Sequence, residues 1–102
     1  MMMTYVRHHI AEPLTVARVA ESARCSETTA QRLFARHLGE SMQSWIRHVR
    51  LREAASLLHT SSLRVSEVAQ LVGYADPLYF SRAFRAAYGV APSRFTQTAL
   101  RP

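Results

Sequence analysis

The 102-residue chain contains no lysine, a single cysteine (Cys25), three glycines and four prolines. One thiol can neither close an internal disulfide nor supply a cysteine-rich zinc site, and the ordinary role of Cys25 is that of a small half-buried side chain. Apolar runs extend only a few residues, far short of the roughly 20 needed to cross a bilayer, and no charged-then-apolar leader is visible. A cytoplasmic protein with no membrane partner is expected. Acidic residues are also scarce, 7 against 13 arginines, which leaves a net charge of +6 and a pI near 10.7. The first expected partner therefore carries negative charge.

What the chain does have is a hydrophobic fraction of 48%, enough for a packed core in one ordinary domain or two very small ones. Between Gly39, Gly73 and Gly89 the apolar positions recur at three- and four-residue steps, not in alternation, which predicts an all-α protein of about seven helices. The expected helices run from Met3 to Ala11, with Tyr5, Val6 and Ile10 on one face, and from Val16 to the Arg24-Cys25 break, with Val19, Ala20 and Ala23 inward. Ser26 caps a third, Glu27 to Leu38, closed by Gly39. A longer helix, Met42 to Leu58, ends at the polar run His59-Thr60-Ser61-Ser62. Val65 to Val72 follows, then a helix capped by Asp76 with Pro77 at its first position and Gly89 after its end, and Pro92 opens a short last one.

Laid over one another, the two halves repeat. Val16, Val19 and Ala20 recur 49 positions later as Val65, Val68 and Ala69; after one extra residue, Ser26, Arg32, Phe34 and Gly39 recur 50 positions later as Asp76, Arg82, Phe84 and Gly89. Every pair but the cap is an identity. The chain thus reads as one helix–turn–helix unit written twice: a first subdomain at 3–41, a connector helix at 42–58 and a second subdomain at 59–99.

At 100° per residue, Ala30, Leu33, Phe34 and Leu38 share one face of the third helix, so Thr28, Arg32 and Ala35 point away, flanked by Gln31 and Arg36. In the sixth helix Phe80, Ala83, Phe84 and Ala87 face inward, and Leu78, Arg82 and Arg85 outward, flanked by Tyr79 and Ser81. A solvated face would usually mix charge signs; beyond the first turn these stripes carry arginine and no acid. Arg32 and Arg82 can each fork onto guanine, Gln31 can pair with adenine, and Thr28, Leu78 and Tyr79 can meet thymine methyls or sugar. Arg36 and Arg85, nearer the helix ends, are candidate phosphate ligands, together with Ser26 and Ser81. The competing reading is a helical adaptor that uses exposed Leu78 and Tyr79 as a protein contact.

An enzyme finds little support. His37, His48 and His59 are spaced by 11 residues, but they fall on two expected helices and a break, with no carboxylate or second cysteine at ligand spacing, so neither a catalytic residue, a metal nor another cofactor is expected. His8 and His9 read as surface residues and Trp45, matched by the repeat to Phe95, as core. The aromatics lie mostly on inward faces, which disfavours a single-strand stacking platform.

The segments Val65-Ser66-Glu67-Val68-Ala69, Gly73-Tyr74-Ala75-Asp76, Tyr79-Phe80-Ser81-Arg82-Ala83-Phe84-Arg85 and Gly89-Val90-Ala91-Pro92 resemble the AraC/XylS family of bacterial transcription regulators. The run Leu14 to Ile46 is similar to that family's less regular first helix–turn–helix. The resemblance implies sequence-specific binding of double-stranded DNA and transcription regulation, as an activator touching RNA polymerase. It also implies two recognition helices entering successive major grooves, joined by a rigid connector whose roughly 25 Å suits a helical repeat of about 34 Å. The family's base-reading positions correspond here to Thr28, Gln31 and Arg32, then to Pro77, Leu78, Tyr79 and Arg82. Pro77 and Leu78 stand where some members carry polar residues, which leaves Arg82 as the second helix's main hydrogen-bonding reader beside readout by shape. Many members carry a sensing and dimerisation domain ahead of this unit, so the chain is either a fragment or similar to the smaller single-domain activators; a monomer is expected.

Overall fold

The computed structural model describes residues 2–95. It contains α1 (Met2–His8), α2 (Val16–Ser22), α3 (Glu27–Leu38), α4 (Met42–Thr60), α5 (Val65–Leu71) and α6 (Pro77–Tyr88), followed by helical residues 92–95. There is no strand among the described residues. The rest of the expected last helix, and positions 96–99 of the expected second subdomain, lie outside the described residues.

The chain divides into two compact units, residues 1–49 and 50–102. In the first, Val6 of α1, Val19 and Ala20 of α2, and Ala30 and Phe34 of α3 pack with Met42, Trp45, Ile46 and Val49 of α4. In the second, Leu51, Ala54 and Leu58 of α4 pack with Val68 and Ala69 of α5, Val72, and Phe80 and Phe84 of α6. Each core is held by the removal of apolar surface from water, roughly 1.5–3 kcal/mol for a fully buried large side chain. The connector is therefore no solvated spacer. Its three- and four-residue steps are interrupted between Val49 and Leu51, so α4 carries two short apolar stripes, one for each core, in place of one long one.

The repeat extends into the aromatic packing. Phe34 lies 5.4 Å from Trp45 between ring centroids, and their counterparts Phe84 and Phe95 lie 5.3 Å apart. Trp45 is buried and Phe95 partly so. Met42, at the start of α4, and Pro92, its counterpart, are both fully buried.

Four helix ends differ from the sequence reading, among them that of α2, which stops at Ser22 with Ala23 as its C-cap. α1 stops at His8, before Ala11, because the His9 N–H divides between Tyr5 and Val6 carbonyls at 3.1 and 3.2 Å and the His9 ring then pairs with Glu12 at 2.7 Å, turning the chain ahead of Pro13. α4 runs through the polar residues His59 and Thr60, because the Thr60 and Ser61 hydroxyls donate to the carbonyls of Ser56 and Leu57 and hold the last turn closed. α5 stops one residue early, at Leu71, because Val72 is already its C-cap.

Candidate nucleic-acid interface

The two turns that aim α3 and α6 are built alike. After α2, the N–H of Arg24 donates to Glu21 O at 3.0 Å and that of Cys25 to Ala20 O at 3.1 Å; after α5, the N–H of Gly73 donates to Gln70 O at 3.1 Å and that of Tyr74 to Ala69 O at 2.8 Å. This nested pair of bonds is the Schellman arrangement, and it requires a left-handed residue just past the C-cap. Gly73 supplies it with φ of 94°, but Arg24, its counterpart 49 positions earlier, adopts φ of 55° as a non-glycine. The helix starts also match. Thr15 Oγ accepts from the Arg18 N–H at 3.1 Å in front of α2; in front of α5, Glu67 reaches back to accept from the Arg64 N–H at 2.9 Å. These are opposite halves of a capping box.

On α3, Ser26 Oγ accepts from the Thr29 N–H at 3.1 Å and donates to the Thr29 hydroxyl at 2.9 Å. The Ser26 hydroxyl is thereby committed to the cap, so a phosphate contact from this residue would use its backbone N–H. Ala30 and Phe34 are buried beneath, while Thr28, Gln31, Arg32, Ala35 and Arg36 are exposed. Glu27 occupies the first turn, where the helix dipole favours a carboxylate, and Gly39 closes the helix at φ of 71°.

On α6, Asp76 Oδ1 accepts from the Leu78 N–H at 2.9 Å and Pro77 holds the first helical position. Phe80 and Phe84 are fully buried. Pro77, Leu78, Tyr79, Arg82 and Arg85 are exposed, and Ser81 is half-buried. The ion pairs among the described residues are His9–Glu12, Arg18–Glu12 and His48–Glu40. None engages Arg32, Arg36, Arg82 or Arg85, so all four guanidinium groups are left to water or to an anionic partner.

Two inward assignments are corrected. Leu38 is 37% exposed and Ala87 is exposed, both in the last helical turn before a left-handed glycine. Ala23, Leu33 and Ala83, also expected inward, are half-buried. His37, His48 and His59 do not converge: among the described residues no three metal-ligating side chains come together. His48 Nδ1 instead lies 2.9 Å from Glu40 Oε1.

Three residues escaped the sequence reading, the left-handed Arg24 described above, Arg50 and Tyr74. Arg50 of α4 donates to the carbonyl of Gly73 at 3.3 Å, tying the connector to the second turn, and burial pulls its guanidinium below the usual pKa while Tyr74 opposes that shift. Tyr74 packs at 5.3 Å from Phe80 and 6.0 Å from Tyr79, so it links an exposed ring to the core. The signal for Arg24 was present in the repeat, since it aligns with a glycine; nothing in the spacing marks Arg50.

A helix-turn-helix domain family matches residues 19–98. The arabinose operon regulatory protein of Salmonella typhimurium is 36% identical over 92 residues, which cover 89% of this chain and 33% of that protein. The chain belongs to the AraC/XylS family. It spans about a third of the length of the curated relatives it matches. Among solved structures, the C-terminal domain of AraT, a response regulator from Geobacillus stearothermophilus, superposes with a TM-score of 0.89 at 34% identity, covering 95% of this chain and 81% of that one. The DNA-binding domain of AdpA, a global transcriptional factor solved in complex with a target DNA, also gives 0.89, at 28% identity and covering 95% and 87%. Within this AraC-family chain, α2–α3 and α5–α6 are two helix–turn–helix pairs built on the same turn.

Proposed function

We propose that this AraC-family chain binds double-stranded DNA in a sequence-specific manner and regulates transcription, with α3 and α6 each entering a major groove, in successive turns of the duplex. In this reading residues 3–41 and 59–99 are the two DNA-binding subdomains and 42–58 the connector. Arg32 and Arg82 fork onto guanine, Gln31 reads adenine, Thr28, Leu78 and Tyr79 meet base edges, and Ser26, Arg36, Ser81 and Arg85 fix the backbone. The chain acts as a cytoplasmic monomer, activating promoters and touching RNA polymerase. The observation that carries the reading is the pair Arg32 and Arg82, placed by two copies of one turn at the same position of two capped helices, exposed and free of acidic partners among the described residues.

Selection of bound sequences from a random duplex pool tests it. The expected result is enrichment of a two-part site, abolished by Arg32→Glu and Arg82→Glu together. The exposure of Leu78 and Tyr79, 71% and 62%, favours a second reading, a protein adaptor. An adaptor would enrich no duplex and would tolerate the charge reversals.

A further inference from the structure

The outward faces of α3 and α6 carry different chemistry on one backbone plan. Position for position, Thr28 corresponds to Leu78, Thr29 to Tyr79, Gln31 to Ser81 and Arg32 to Arg82. The leading turn of α3 therefore offers hydroxyls and, one step on, an amide. The leading turn of α6 offers Pro77, Leu78 and Tyr79, and the carboxylate ahead of it, on Asp76, accepts at Oδ1 from the Leu78 N–H at 2.9 Å. Leu78 and Tyr79 are the most exposed large hydrophobic side chains among the described residues.

They are also firmly held. Pro77 fixes its own φ, and the Asp76 cap holds the backbone of Leu78. The Tyr79 ring rests 6.0 Å from Tyr74, which lies 5.3 Å from the fully buried Phe80, so an aromatic column braces it from the core. Leu78, Arg82 and Arg85 follow at four- and three-residue steps along one stripe: an apolar tip on a cationic body. In a major groove the largest apolar group on any base edge is the C5-methyl of thymine, and phosphates line both walls. Charge and apolar surface thus both find a counterpart there.

Building on the double-stranded DNA reading, we infer that α6 recognises a thymine C5-methyl group through Leu78, with the Tyr79 ring flanking it, so that the two halves of the site are read differently, by hydrogen bonds at α3 and by methyl contact beside a single arginine fork at α6. The specificity of the second half then resides in a group that deoxyuridine lacks while keeping the same base pairing.

The test uses the full chain and the site selected from the random pool. The half read by α6 is assigned as the one whose base preference relaxes in Arg82→Ala, and thymines are then replaced by deoxyuridine in one half at a time. Loss of one buried methyl is expected to weaken binding about fourfold, the factor equivalent to roughly 0.8 kcal/mol. That loss should appear in the α6 half and be smaller in the α3 half, where Gln31 and Arg32 carry the readout by hydrogen bonds and the small Thr28 methyl is the counterpart of Leu78. In Leu78→Ala, and in Leu78→Ser as a second variant at this exposed position, the wild-type difference between thymine and deoxyuridine should vanish. Three results would overturn the inference while leaving DNA binding intact: an α6 half without thymine, equal affinity for thymine and deoxyuridine, or a deoxyuridine penalty that survives both Leu78 variants. Failure to enrich any duplex would overturn the DNA reading itself, and the inference with it. An apolar, acidic protein retained by wild type and lost in the Leu78 variants, without duplex enrichment, would assign the face to a protein contact instead.

Discussion

The two C′ positions, Arg24 and Gly73, are the most direct test of how the recognition helices are aimed, because one backbone plan is filled by an L side chain in the first unit and by glycine in the second. An L side chain in the left-handed region costs about 1–2 kcal/mol. A glycine placed in a conformation that other residues tolerate gives up about 0.4–1 kcal/mol through the freedom of the unfolded chain. For Gly73→Ala the strain opposes a smaller entropic gain, and φ of 94° lies beyond the centre of the left-handed well, so a net destabilisation of about 1 kcal/mol is expected. For Arg24→Gly, at φ of 55°, the two terms are close, and stabilisation of at most about 0.5 kcal/mol is expected. In a unit of this size 1 kcal/mol corresponds to a shift in Tm of roughly 4–8 °C. Trp45, the only tryptophan, lies in the first core, so its fluorescence follows the Arg24 variant, and helical circular dichroism follows the Gly73 variant. A Gly73→Ala protein melting clearly above the parent would show that the second turn does not hold a left-handed residue, and the aim of α6 argued from it would fail.

Three further outcomes are expected. Arg32→Ala and Arg82→Ala should each cost about 1–3 kcal/mol on the selected duplex and far less on a random one; equal losses on both would reduce these side chains to backbone ligands. Arg36→Ala and Arg85→Ala should instead weaken binding to all duplexes alike and lower the slope of log affinity against log salt by about one each, measured by titration at several salt concentrations. Phe84→Ala removes a fully buried ring in contact with Phe80, Tyr88 and Phe95, so a loss of about 3–5 kcal/mol is expected by denaturant unfolding; a loss below about 1 kcal/mol would mean that the second core is not packed around it.

Most of this architecture is legible in the residues because local signals agree. Ser26 and Gly39 bracket α3, and Asp76-Pro77 and Gly89 bracket α6, so the span of both recognition helices follows from cap chemistry alone. The exposure of Thr28, Gln31, Arg32, Leu78, Tyr79, Arg82 and Arg85 follows from the period of the apolar positions. What the period handles badly is a helix end. Leu38 and Ala87 fall on the inward stripe by angle, but both lie exposed in the last turn, and a wheel has no axis coordinate with which to register a helix end.

A contact such as that of Arg50 with the Gly73 carbonyl is hidden for a different reason. It joins residues 23 positions apart, and an arginine on a helix in an arginine-rich chain looks like any other solvated cation until the turn is seen beneath it. The duplication supplies a partial remedy, since two copies of one backbone plan disclose conformations that neither sequence reveals alone. The glycine at position 73 marks a left-handed residue, and the 49-residue offset transfers that conformation to Arg24, where the side chain itself argues against it. The same comparison separates fold from function. Positions where the copies agree, Val19 with Val68, Ala20 with Ala69 and Phe34 with Phe84, are buried, and the agreement of Arg32 with Arg82 lies outside, where packing places no demand on it. Where the copies diverge on the exposed face, at Thr28 against Leu78 and Thr29 against Tyr79, packing does not account for the difference, which in the proposed reading belongs to what α3 and α6 touch.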